Sequence, residues 1–111
     1  MKDSLSQVDI TRYTNMIISF VNTAIAQTEG VSREYDLVKK KFGMSTMNTK
    51  NIHVYIDDFD VTIDLFINVL YGYAVPKVVC KLQEDIIKLV KESTPLNVKN
   101  INVNVSNVLF S

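Results

Sequence analysis

Apolar residues fall along this chain in two rhythms, and the switches between them lay out its elements. Met16, Ile17, Phe20, Val21 and Ala24 recur every three or four residues, forming one stripe of a helix that runs to about Thr28. A short strand at Val8-Asp-Ile10 is expected to precede it, with Thr11 or Asp9 capping the helix start. Glu29-Gly30-Val31 closes the helix, Gly30 being suited to the left-handed turn beyond it. Tyr35 and Leu37 alternate with polar neighbours, so a further strand is expected from Val31 to Val38. The polar run from Lys39 through Gly43 to Lys50 reads as an exposed loop.

A two-residue rhythm then takes over. Ile52, Val54 and Ile56 alternate with His53, Tyr55 and Asp57, the pattern of a half-buried strand. Asp57-Asp58-Phe59-Asp60 supplies a polar turn and predicts a hairpin. Val61, Ile63, Leu65, Ile67 and Val69 share one face of the next strand. Thr62, Asp64 and Asn68 share the other, where Phe66 and Leu70 interrupt the polar pattern. Helical spacing returns with Val75, Val78, Val79, Leu82, Ile86, Leu89 and Val90, and Pro76 falls near the first turn, where its missing N–H costs little. Pro95 ends that helix, and Ile101, Val103 and Val105 point inward from a final strand.

The order is roughly β-α-β-β-β-α-β. Two helices with one apolar stripe each must bury those stripes on a single, mostly antiparallel sheet, which makes the fold an α+β two-layer sandwich. The 111 residues are expected to form one domain spanning positions 1–111.

Composition narrows the function more than the fold. Acidic and basic residues balance at 12 each, so no global field draws nucleic acid or anionic lipid. No apolar run approaches the ~20 residues of a membrane span, so direct insertion is not expected. Cys80 is the single cysteine; it is expected to face inward from its helix as a small apolar residue, and its isolation suits a reducing cytoplasm.

Reactive constellations are missing from the sequence. One histidine, His53, on the polar side of a strand, and one distant cysteine do not make a metal site. Asp57, Asp58, Asp60 and Asp64 are the densest carboxylates, yet a turn between strands favours Asp for its backbone hydrogen bonds. Gly30, Gly43 and Gly72 are isolated and form no phosphate cradle. The chain is therefore not expected to be an enzyme or to hold a cofactor. Lys39, Lys40 and Lys41, with Lys50 nearby, form the one basic concentration, which a solvated loop explains. An RNA-binding module touching phosphates through these lysines is the alternative.

Two further residues stand off the first helix's stripe. Ile18 and Ile25, with Phe66 and Leu70, mark either a partner-binding surface or a broader buried face.

The ordered set of segments resembles the alkaline shock protein family, the envelope stress response proteins of Gram-positive bacteria. The resemblance rests on Ala24-Ile-Ala-Gln-Thr-Glu-Gly-Val31, Val61-Thr-Ile-Asp-Leu-Phe-Ile-Asn-Val-Leu-Tyr-Gly72, the helix around Val79 to Gln83, Thr94-Pro-Leu-Asn-Val98 and Ile101-Asn-Val-Asn-Val-Ser-Asn-Val108. Pro95 and Asn107 stand where the family usually carries glycine. The resemblance implies a non-enzymatic cytoplasmic scaffold that associates with itself and with protein partners. It also implies recruitment to the inner face of the membrane by a small membrane-anchored protein. It brings no catalytic residues.

Overall fold

In the computed structural model, which describes residues 5–32 and 51–110, the first helix begins earlier than its apolar rhythm implies. Helix α1 spans Gln7–Gln27. Ser6 is its N-cap: the Ser6 hydroxyl accepts from the Asp9 N–H (3.1 Å), and the Asp9 carboxylate accepts from the Ser6 N–H (3.4 Å). This reciprocal box satisfies two otherwise orphaned donors and places negative charge in the first turn. It overturns the expected opening strand at Val8-Asp-Ile10 and moves the cap from Thr11 or Asp9 to Ser6. Val8 and Ile10, two and four positions beyond a capping serine, are too short a pattern to make a strand.

Strands β1 (Ile52–Asp57) and β2 (Asp60–Leu70) form the expected hairpin, with Asp57 opposite Asp60. Asp58 takes the left-handed conformation at φ 55°, which aspartate tolerates better than most side chains. Helix α2 (Val75–Ser93) carries the chain back, and β3 (Asn97–Leu109) then lies parallel to β2. The sheet, in the order β1-β2-β3, is mixed rather than mostly antiparallel as expected, because the longer of its two pairings, β2 with β3, is parallel. The helical crossover makes this pairing possible, since parallel neighbours cannot be joined by a tight turn.

Both helices pack on one face of this sheet. Ile17, Val21 and Ala24 from α1 and Val78, Leu82, Ile86 and Val90 from α2 meet Val61, Ile63, Leu65, Ile67 and Val69 of the central strand, all of them buried. The architecture is the expected α+β two-layer arrangement, and its described elements run α-β-β-α-β. Of the strand expected from Val31 to Val38, Val31 forms an antiparallel bridge to Val69 and the Ser32 N–H donates to the Asn68 carbonyl (2.8 Å). Positions 33–38 lie outside the described residues.

The ends of α2 are set by local chemistry. Pro76 lies in the first turn, as expected. Thr94 closes the helix: its hydroxyl donates to the Val90 carbonyl (2.8 Å) and accepts from the Leu96 N–H (3.1 Å). Leu96 is thereby turned into the core.

Cys80 is a second correction, because it is exposed rather than inward-facing. It lies two residues beyond Val78, about 200° round the helix from the buried stripe. Its thiol donates to the Glu84 carboxylate (3.5 Å), and that hydrogen bond, with the nearby negative charge, raises its pKa. A smaller thiolate fraction at neutral pH should slow alkylation by iodoacetamide. Glu84→Gln is expected to speed that reaction by roughly a fewfold at pH 7.5. Equal rates in the two proteins would show that Glu84 does not control the thiol.

Candidate protein-binding surface

One face of the sheet is packed by helices, and the other is uncovered by any described element. Alternation along the strands decides what that open face carries. It presents His53 and Tyr55 from β1, Thr62, Asp64, Phe66 and Asn68 from β2, and Asn102 and Asn104 from β3. Tyr55 is 57% exposed and Phe66 41%, with the His53 ring edge-on to Phe66 at 6.3 Å. Phe66 was legible in the sequence as a break in a polar face. It remains open to solvent although its strand is the most buried of the described strands.

The polar groups of this face are cross-bonded in a ladder. The Asn97 amide donates to Asp60 (3.2 Å), Asn102 to Asp64 (2.6 Å) and Asn104 to the Leu65 carbonyl (3.2 Å). Asp60 and Asp64 therefore hold β3 against β2. Among the described residues no group of three or more His, Cys, Asp or Glu could hold a metal ion.

The four apolar candidates do not share one patch. Ile18 and Ile25 are half-buried against the core from α1. Leu70, half-buried at the end of β2, donates its N–H to the Gly30 carbonyl (2.7 Å). Ile25 and Phe66 do come together, on a cavity of about 240 Å³ also lined by Asn22, Val31, Asn51 and Asn68. The cavity lies beside β2, near Phe66 and Asn68. There the Phe66 N–H donates to the Asn51 carbonyl (3.0 Å), and two residues later Asn68 receives Ser32. Lys39, Lys40, Lys41 and Lys50 lie outside the described residues.

Sequence reading missed a second aromatic feature. Tyr71 and Phe110 stack at 4.6 Å with an interplanar angle of 23°, and they are 66% and 78% exposed. The Tyr71 N–H donates to the Leu109 carbonyl (2.6 Å), which sets the two rings side by side. Only the parallel register of β2 and β3 brings these residues together. No helix among the described residues is long and apolar enough to cross a membrane.

Comparison with known proteins agrees with the pattern of elements. A family model for the alkaline shock protein family, described as having a cell envelope-related function, matches residues 2–110. The uncharacterized protein YqhY of Bacillus subtilis (strain 168) is 30% identical over 73 residues, covering 66% of this chain and 53% of that protein. The chain thus spans about half the length of this curated relative. No solved structure matches.

Proposed function

The chain belongs to the alkaline shock protein family, whose function is cell envelope-related, and from that premise we propose that it is a non-enzymatic scaffold of the envelope stress response. It acts by associating with itself and with protein partners at the cytoplasmic side of the membrane, where a small membrane-anchored protein holds it.

The observation that carries this reading is the open sheet face. Tyr55 and Phe66 project from strands whose opposite side is packed against the core, so two aromatic rings are presented at the surface from a preformed backbone. Aromatics on a preformed surface are the residues that anchor protein interfaces, because little side-chain freedom is lost on binding. The face carries Asp64, and its neighbouring turn carries Asp57, Asp58 and Asp60, so a phosphate backbone would meet repulsion there. A protein partner suits this surface better than RNA.

Fractionation of cells producing the full chain tests the proposal. The native protein is expected to sediment with membranes, and Phe66→Asp to move most of it to the soluble fraction without a large change in thermal midpoint. A native protein found wholly in the soluble fraction would contradict the membrane assignment. Unchanged recovery of Phe66→Asp would remove the open face as the docking surface.

A further inference from the structure

The outer edge of β3 is the longest run of unpaired backbone in the described structure. Its direction can be worked out from the bonds around it. Phe66 turns its N–H towards β1, so Leu65, one residue earlier, turns its polar backbone groups towards β3. Leu65 is the register partner of Val103. In a parallel ladder the residues flanking such a partner, Asn102 and Asn104, make the bonds to β2. Ile101, Val103 and Val105 consequently aim their N–H and C=O groups away from the sheet. The Ile101 carbonyl fits this geometry, because it accepts from the Gln83 side chain of α2 (3.0 Å) instead of from a strand.

Gln83 covers that edge at one carbonyl only. From Asn100 to Phe110 the chain carries no charge, proline or glycine, the devices that usually blunt an exposed edge. A register shift near Ser106, opposite Ile67 and Asn68, ends the regular stretch.

We propose that a second copy of this chain covers the edge, with β3 pairing antiparallel to its own counterpart about a two-fold axis through Asn104. The inference rests on the self-association put forward above and gives it a place. On that axis Val103 of one copy faces Val105 of the other, twice over, so these two outward-facing residues of each chain form paired N–H···O=C bonds. Asn104 then faces Asn104. An amide carries both donor and acceptor, so it complements a copy of itself, and the uncharged segment brings no repulsion. The half-buried Val103 side chain meets that of Val105 from the other copy on the helix side of the sheet. The result is a continuous six-stranded sheet whose open faces, with Phe66, lie side by side.

Cysteine cross-linking tests the axis. In a Cys80→Ser background, Asn104→Cys is expected to form a disulfide-linked dimer under mild oxidation at least about ten times faster than Asn102→Cys, because only position 104 faces itself across the axis. Amide exchange in the native chain is an independent check. The Val103 and Val105 amides should become protected only at concentrations where the dimer forms. A dimer in which these amides still exchange fast, or in which both cysteines link slowly, would overturn the β3 pairing and leave self-association standing. Protection that persists in a monomer would show the edge covered within one chain. A native chain that never dimerises would overturn both the pairing and the self-association beneath it.

Discussion

Truncating Leu65 to alanine is expected to destabilise the fold by about 2–5 kcal/mol, whereas Phe66→Ala should cost less than about 1 kcal/mol. The two residues are adjacent apolar positions on the central strand and point to opposite faces of the sheet. Leu65 is fully buried between the sheet and both helices, and its removal leaves a cavity that close-packed neighbours cannot collapse into. Phe66 faces solvent, and its packing partner on that face is the edge-on ring of His53. Urea unfolding of the two variants, compared at constant slope, measures the difference. A large loss at Phe66 would mean that the second sheet face is part of the core, and the proposed binding surface would not exist.

Gly30→Ala is the second large effect, expected at roughly 2–3 kcal/mol against about 1 kcal/mol for Gly72→Ala. Both glycines have positive φ, 94° and 99°, so both substitutions strain the backbone. They differ in their surroundings. A Cβ at Gly30 would lie 2.8 Å from Cγ of Tyr73 and 3.0 Å from a Val78 methyl, whereas nothing lies within 4 Å at Gly72. Cγ is tied closely to the Tyr73 backbone, so the ring cannot simply swing aside. Gly30 also sets α1 against β2 through the Leu70 bond, and the strain would loosen that junction. Thermal midpoints of the two variants separate backbone strain from the contact; equal losses would remove the contact with Tyr73 as a cause.

Much of this arrangement was legible in the chain itself, for a physical reason. The stripes of α1 and α2 and the alternation of β2 reflect burial, and burial is what a hydrophobic pattern records. Gly30, Pro76 and the Asp57–Asp60 turn were readable because local stereochemistry alone restricts them. The expected opening strand does not form because the Ser6 and Asp9 capping box begins a helix that already includes Val8 and Ile10. Cys80 failed because it follows Val78 and Val79 in sequence while the helical turn carries it away from them.

The candidate surface was less legible, since surfaces depend on register. Phe66 could be found as an apolar residue on a polar face. Its meeting with Ile25 on one cavity depends on how α1 packs against the sheet. The Tyr71–Phe110 stack and the outward turn of Val103 and Val105 follow from the parallel pairing of β2 and β3, which no local pattern specifies.

The most direct test of a scaffold is its mass in solution. Light scattering coupled to size exclusion, over a micromolar concentration series at low and moderate salt, should show a dimer or larger assembly that persists as salt rises. Persistence is expected because the contacts are backbone hydrogen bonds and apolar side chains, which salt screens little. A monomer at every concentration and both salt levels would contradict self-association, and with it the central claim for this protein.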